Sequence, residues 1–197
     1  MSNKIDIRAI GIDDMLIFLH EHNQQKFRAN QILEWIWKKS ATSFDEMTNL
    51  SLPLRELLKE KFCFKPLTID ECQYSSDGTI KSRFLTHDSF PIEGVLIPSK
   101  KRNTACVSSQ VGCSLSCSFC ATGKLKRERN LTAAEIYDQV VAINNQSIEH
   151  RDKGLTNIVY MGMGEPLLNY SEVKKSIDHI TFEDGLNMSP KRITIST

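Results

Sequence analysis

TACVSSQVGCSLSCSFCATG, residues 104–123, reads as the start of a βα unit. Thr104–Ser108 has the texture of a short strand, and a loop rich in Cys, Gly and Ser follows it. Thr132-Ala-Ala-Glu135 is a capping box that opens a helix reaching about Gln146. Further on, Asn157–Met161 predicts a buried apolar strand, Ser171–Ile180 a helix and Arg192–Thr197 another strand. Strands alternating with helices predict parallel βα units, so residues 99–197 read as an α/β core.

Upstream the texture differs. Residues 1–65 read as helical, with a helix opening at Ile12 and another over Arg28–Lys39 that carries Ile32, Leu33, Trp35, Ile36 and Trp37. A third starts at Pro53, with Leu54, Leu57 and Leu58 on one stripe. At helical spacing beside isoleucines, the two tryptophans read as core, although stacking on bases is the other use of such rings. Residues 66–98 alternate: Leu67–Tyr74, a turn at Ser76–Thr79, and Ile80–Thr86 make a hairpin, followed by a strand over Ile92–Ile97. Cys63 and Cys72 read as packing residues. The expected organisation is an accessory domain over 1–98, helical to 65 and β from 66, then the core over 99–197.

The chain has 197 residues, 40% hydrophobic and 25% charged, an ordinary globular mixture that excludes wholesale disorder. No run approaches the roughly 18 apolar residues that span a bilayer. Met1–Ile7 lacks the apolar stretch of a secretory signal, so a reducing cytoplasm is expected, and with it six cysteines that serve as ligands, nucleophiles or core rather than disulfides.

Cys113, Cys117 and Cys120 fall within eight residues. Three thiolates this close bind a soft metal, and two occupants compete. A structural zinc ion takes four ligands, yet His87 and His150, the nearest histidines in sequence, stand about thirty residues away. A [4Fe-4S] cluster suits three cysteines and leaves one iron open for a substrate.

The C-x-x-x-C-x-x-C spacing after a first strand resembles the radical S-adenosylmethionine superfamily. The flanking residues are similar to the RlmN family of dual-specificity RNA methyltransferases: Ala105-Cys106 through Cys113, Cys120-Ala-Thr-Gly123, Met161-Gly-Met-Gly-Glu-Pro166 and Ser75-Ser-Asp-Gly-Thr-Ile80. The related Cfr enzymes, which act on carbon-8, usually carry alanine where Pro166 stands. The resemblance implies the first part of a partial (βα) radical S-adenosylmethionine barrel behind an RNA-docking accessory domain. Lys26, Arg28, Lys38 and Lys39 of that domain are candidates for contact with RNA.

The implied activity is methylation of carbon-2 of an adenine in 23S ribosomal RNA and in some transfer RNAs, with a [4Fe-4S] cluster and S-adenosylmethionine as cofactors. In the family's mechanism a methyl-carrying cysteine near the C-terminus forms an adduct with the base. A second cysteine then resolves the adduct by forming a disulfide with the first. Residue by residue, Cys113, Cys117 and Cys120 match the cluster ligands, Cys106 the resolving cysteine and Glu93 the proton acceptor. Whether Glu93 or Cys106 removes the carbon-2 proton stays open. Gly164, Glu165 and Ser196 match contacts to S-adenosylmethionine, and Phe119 either shields the cluster or merely packs. The resemblance also implies an electron donor such as flavodoxin, a monomer, and no membrane partner.

Family members run to roughly twice this length, and no cysteine follows Cys120, so the chain alone is expected to be inactive. A non-catalytic metal-binding RNA module is the competing expectation. It would need the thiolates and a basic rim, but has no use for Glu93, Cys106 and Gly164-Glu165 together. Such a rim has one candidate: Lys100 to Arg129 holds seven basic residues against Glu128, a local +6 that leaves −5 for the rest. These residues form either a solvated charged face or a phosphate-binding rim around the cysteines.

Overall fold

A computed structural model describes residues 4–115, 117–118 and 120–197. Its architecture is mixed α/β, in two compact units: residues 1–65 with 179–187, and residues 66–178 with 188–197.

The first unit opens with a two-residue strand β1 (Ile5–Asp6) and continues through helices α1 (Ile12–Glu21), α2 (Phe27–Trp37) and α3 (Leu52–Lys61) to strand β2 (Phe62–Cys63), which pairs parallel with β1. The helices form where the apolar spacing requires them. Met15 and Leu19 of α1, Ala29, Ile32 and Ile36 of α2, and Leu54 and Leu58 of α3 are all buried. Each fully buried Leu or Ile stabilises the unit by about 1.5–3 kcal/mol. Trp37 is buried and stacks on His179, ring centroids 3.6 Å apart. Trp35 is half-buried, donates its Nε1–H to Asn49 and lies under Lys39. Neither indole stands out as a free stacking platform.

The second unit is built on one six-stranded sheet. Strands β3 (Thr68–Tyr74), β4 (Ile80–Leu85), β5 (Pro91–Pro98) and β6 (Asn103–Cys106) run antiparallel in sequence order. A small second sheet pairs β7 (Gln110–Val111) with β8 (Arg129–Asn130), and helix α4 (Ala133–Arg151) follows. Strand β9 (Asn157–Tyr160) then joins β6 in parallel, helix α5 (Tyr170–Thr181) crosses over, and β10 (Ile193–Ile195) joins β9 in parallel. The full order is β10-β9-β6-β5-β4-β3.

This changes the expected domain plan. The hairpin and strand over 68–98, expected to belong to the accessory domain, are hydrogen-bonded into the sheet that contains β6, and the compact units meet at residues 65 and 66. Periodicity reveals strands but not the partners they take.

Alternation then assigns the two faces of the sheet. Ser82 and Phe84 of β4, Ile92, Gly94 and Leu96 of β5, Ala105 of β6, and Ile158 and Tyr160 of β9 are buried on one face. Helix α4 packs there: Gln146 Nε2 donates to Ser82 Oγ at 2.8 Å, and Gly94 leaves the space into which Ile143 fits. Lys81, Arg83, Glu93, Val95, Thr104, Cys106, Asn157 and Val159 lie on the opposite face, half-buried or exposed. The expected capping box is present, with Thr132 Oγ1 accepting from the Glu135 N–H and the Glu135 carboxylate accepting from the Thr132 N–H at 2.9 Å. Helix α4 runs five residues past the expected end at Gln146, to a left-handed cap at Asp152 with φ 54°.

Candidate active site at the C-terminal edge of the parallel strands

Strands β6, β9 and β10 point the same way, so the segments leaving their C-terminal ends gather at one edge, where parallel sheets place their sites. Those segments are residues 107–125 with the three cysteines, Met161–Pro166, and Ser196. Backbone and side-chain hydrogen bonds brace the first two against each other. Gly162 N–H donates to Val107 O at 3.0 Å, Ser109 N–H to Met163 O at 2.9 Å, and Met163 N–H to Ser108 Oγ at 2.8 Å. Glu165 N–H donates to Gln110 Oε1 at 2.9 Å. Ser108 in turn is held by the fully buried Gln139, which accepts from its N–H at 2.8 Å and donates to its carbonyl at 3.1 Å. Asn169, also buried, donates to Ser109 O and Leu131 O at 2.8 Å each.

These bracing residues escaped sequence reading. Ser108 and Gln110 lie inside the quoted motif, but nothing in their spacing distinguishes a brace from a loop. Gln139 offered a weak signal, being an amide on the apolar stripe of an otherwise core-facing helix.

The glycines at this edge serve the same brace. A Cβ on Gly162 would stand 2.7 Å from Val107 O, and one on Gly164, whose φ is +96°, would stand 2.5 Å from Gln110 Cβ. Their close approach is therefore to the chain's own 107–110 segment. Glu165 is half-buried, and its carboxylate accepts from the Leu167 N–H at 2.9 Å, capping the turn at Pro166–Asn169. Ser196 falls just beyond β10, not within a strand, and is exposed. The register pairing Ile195 with Tyr160 puts it level with Met161.

The cysteine loop is closed at its base by the β7–β8 pair and by Gly112, φ +73°, where a Cβ would come 2.1 Å from Lys126 O. Cys113 and Cys120 are half-buried, and Cys117 is exposed. Backbone N–H groups point at sulfur. Leu115 donates to Cys113 Sγ at 3.4 Å, while Gly123 and Thr122 donate to Cys120 and pull its thiol below the usual range. Donors of this kind stabilise a metal-bound thiolate.

Among the described residues, His87, Asp88 and Glu135 form a group whose ligating atoms lie within 4.8 Å of one another. Phe119 lies outside the described residues.

Cys106 and Glu93 share the open face of the sheet. Val95 is in register with Cys106, which makes Glu93 its diagonal neighbour across the β5–β6 pair, roughly 7–8 Å away. Burial pushes the Cys106 thiol up, partly offset by a hydrogen bond from the Met161 N–H. The Glu93 carboxylate pairs with Lys81 Nζ at 2.8 Å, and its backbone carbonyl accepts from Ser108 Oγ at 2.6 Å.

A single basic rim is not what forms. Lys100, Lys101 and Arg102 precede β6 while Lys124, Lys126 and Arg127 follow β7, so the two clusters lie at opposite ends of the strand. Arg129 is not available to a ligand either. Its guanidinium is bidentate to Asp88 (2.7 and 2.8 Å) and to Glu135 (2.7 and 2.8 Å). The same pairing fills the two carboxylates of the His87–Asp88–Glu135 group.

Comparison with known proteins agrees with this geometry. Residues 5–64 match the family described as ribosomal RNA large subunit methyltransferase N-terminal domain, and residues 107–197 match the radical SAM superfamily. A probable dual-specificity RNA methyltransferase RlmN from Christiangramia forsetii is 56% identical over 194 residues, 98% of this chain and 55% of its own length. The dual-specificity RNA methyltransferase RlmN of Geobacter sulfurreducens is 44% identical over 197 residues, 100% of this chain and 53% of its own length. The chain thus spans about half the length of the curated relatives it matches. The crystal structure of a radical SAM methyltransferase from Sphaerobacter thermophilus superposes with a TM-score of 0.86 at 40% identity, covering 98% of this chain and 57% of that one.

Proposed function

Since the chain belongs to the RlmN family of radical S-adenosylmethionine proteins, we propose that its 197 residues supply the N-terminal and cluster-holding parts of an RNA methyltransferase. The target is carbon-2 of an adenine in 23S ribosomal RNA and in some transfer RNAs. One observation carries this reading. The parallel strands bring the three-cysteine loop, the Met161–Pro166 segment and Ser196 to one edge, with Cys106 and Glu93 on the adjoining open face.

Carbon-2 lies between two ring nitrogens and is electron-poor, so it offers no nucleophile for polar methyl transfer. A [4Fe-4S] cluster with S-adenosylmethionine supplies, when bound, the one-electron chemistry that such a carbon needs. Cys113, Cys117 and Cys120 hold the cluster. Gly164, Glu165 and Ser196 would orient the cofactor's methionine end. Cys106, whose thiol burial keeps protonated, becomes a nucleophile only after giving up its proton. Glu93 is the carboxylate on the same face, a proton acceptor held in place by Lys81. The target adenine leaves its stack to reach this edge.

Reducing equivalents from a donor such as flavodoxin, a monomeric state and a cytoplasmic setting belong to the same proposal. No helix among the described residues is long and apolar enough to cross a membrane.

Product identity tests the reading. The whole protein carrying these residues, given RNA, dithionite and S-adenosylmethionine, is expected to form 2-methyladenosine. The 197 residues alone, with no cysteine after Cys120, are expected to form none. Formation of 8-methyladenosine instead would move the protein to the carbon-8 enzymes, and absence of either product from the whole protein would overturn the assignment.

A further inference from the structure

A cleft of about 320 Å³ lies at the N-terminal ends of β6 and β9, opposite the cysteine edge. Two segments wall it: Ser99–Asn103, leading into β6, and His150–Thr156, from the last residues of α4 to the start of β9. Five cations line it, Lys100, Lys101, Arg102, Arg151 and Lys153, against the single carboxylate of Asp152. All five are exposed, and among the described residues none has a carboxylate within 4.0 Å. Cations at a helix C-terminus are ordinarily explained by the helix dipole. That accounts for Arg151, but the other four stand outside α4.

The cleft is preformed. Asn103, 5% exposed, donates from Nδ2 to Lys153 O at 3.1 Å, and its N–H donates to Thr156 Oγ1 at 3.1 Å, which staples one wall to the other. Ser147 Oγ also donates to Lys153 O, at 2.6 Å. On the facing wall, Ser99 N–H donates to Arg102 O at 2.7 Å and Arg102 N–H to Ser99 Oγ at 3.1 Å, a tight turn that projects Lys100 and Lys101 from its tip. Fixed backbone carrying unpaired cations on both sides of a concavity fits a string of phosphates better than a lone anion.

We propose that this cleft docks the phosphodiester backbone of substrate RNA, gripping its body away from the target base. The inference rests on the RNA-methyltransferase reading and adds a second contact to it. Phosphate contacts of this kind set position and affinity without reading sequence, which frees the cysteine edge to select the base. An acidic electron-donor protein is the less suitable occupant, because it must approach the cysteine loop, at the other end of β6.

The test is fluorescence anisotropy of a fluorescein-labelled RNA hairpin with an unpaired loop adenine, titrated with the 197-residue chain between 50 and 200 mM KCl. The triple variant K100Q/K101Q/R102Q is expected to bind at least tenfold more weakly at 100 mM salt. The slope of log affinity against log salt should also shrink by roughly two, since each lost phosphate contact removes about 0.7–0.9. K153Q alone should remove about one such contact. Wild-type affinity and slope in both variants would overturn the cleft while leaving the methyltransferase reading intact, which product analysis judges separately. Tight binding of polyglutamate with none of RNA would overturn it in favour of an acidic protein.

Discussion

Cys117→Ser is expected to cut iron retained after anaerobic reconstitution from about four atoms per chain to fewer than one, with the sulfide-to-iron absorption lost alongside. A serine hydroxyl is a poor ligand for iron beside soft thiolates, and with only three cysteines in the loop no spare can replace it. The loop would survive the change, because its base is held by the β7–β8 pair and Gly112 rather than by the sulfurs. Cys72→Ser is the matched control. Cys72 sits on β3, where its sulfur lies 3.5 Å from Ser82 Oγ and 3.4 Å from Gln146 Nε2, and it should retain full iron. Wild-type iron in Cys117→Ser would remove this cysteine from the ligand set.

The largest loss of stability is expected from Arg129→Met, about 3 kcal/mol in urea unfolding. Arg129 leaves the cysteine loop at β8 and joins the turn at Asp88, 41 residues away in sequence, to the capping box of α4 and its own strand. Glu135 is 3% exposed, so methionine there leaves a buried carboxylate without its cation. Arg129→Lys should recover only part of the loss, since an ammonium cannot be bidentate to two carboxylates.

A pH dependence follows from the same pairing. The hydrogen bonds from Arg129 hold the Asp88 carboxyl well below the usual carboxylate range. A carboxyl lowered on folding adds stability that is fully present above its unfolded pKa and is lost as pH falls below about 4. Wild type should therefore weaken between pH 5 and pH 2 more steeply than Arg129→Met. Parallel pH profiles would show that Asp88 is stabilised by something other than the guanidinium.

Local elements were legible in the sequence wherever a local rule decides them. The stripe of Ile32 and Ile36, the Thr132–Glu135 box and the alternation over 80–85 each appear at the expected place. Helix α4 was read short because Ser147, Glu149 and His150 interrupt the apolar pattern, while its real stop is the left-handed Asp152. Long-range pairing was not legible. Nothing in residues 68–98 says that they extend the sheet of β6, and nothing in the run of basic residues says that β6 lies between its halves. The cysteine spacing marked the proposed ligands directly. The brace behind them did not show, because Ser108, Gln139 and Asn169 acquire their roles only through hydrogen bonds across 31 to 60 residues of sequence.

The proposed open-iron cluster at the three-cysteine edge, beside S-adenosylmethionine, is tested most directly by electron paramagnetic resonance of the anaerobically reconstituted, dithionite-reduced chain. A reduced [4Fe-4S] signal whose shape changes when S-adenosylmethionine is added is the expected result. Stoichiometric zinc and no iron signal would contradict it.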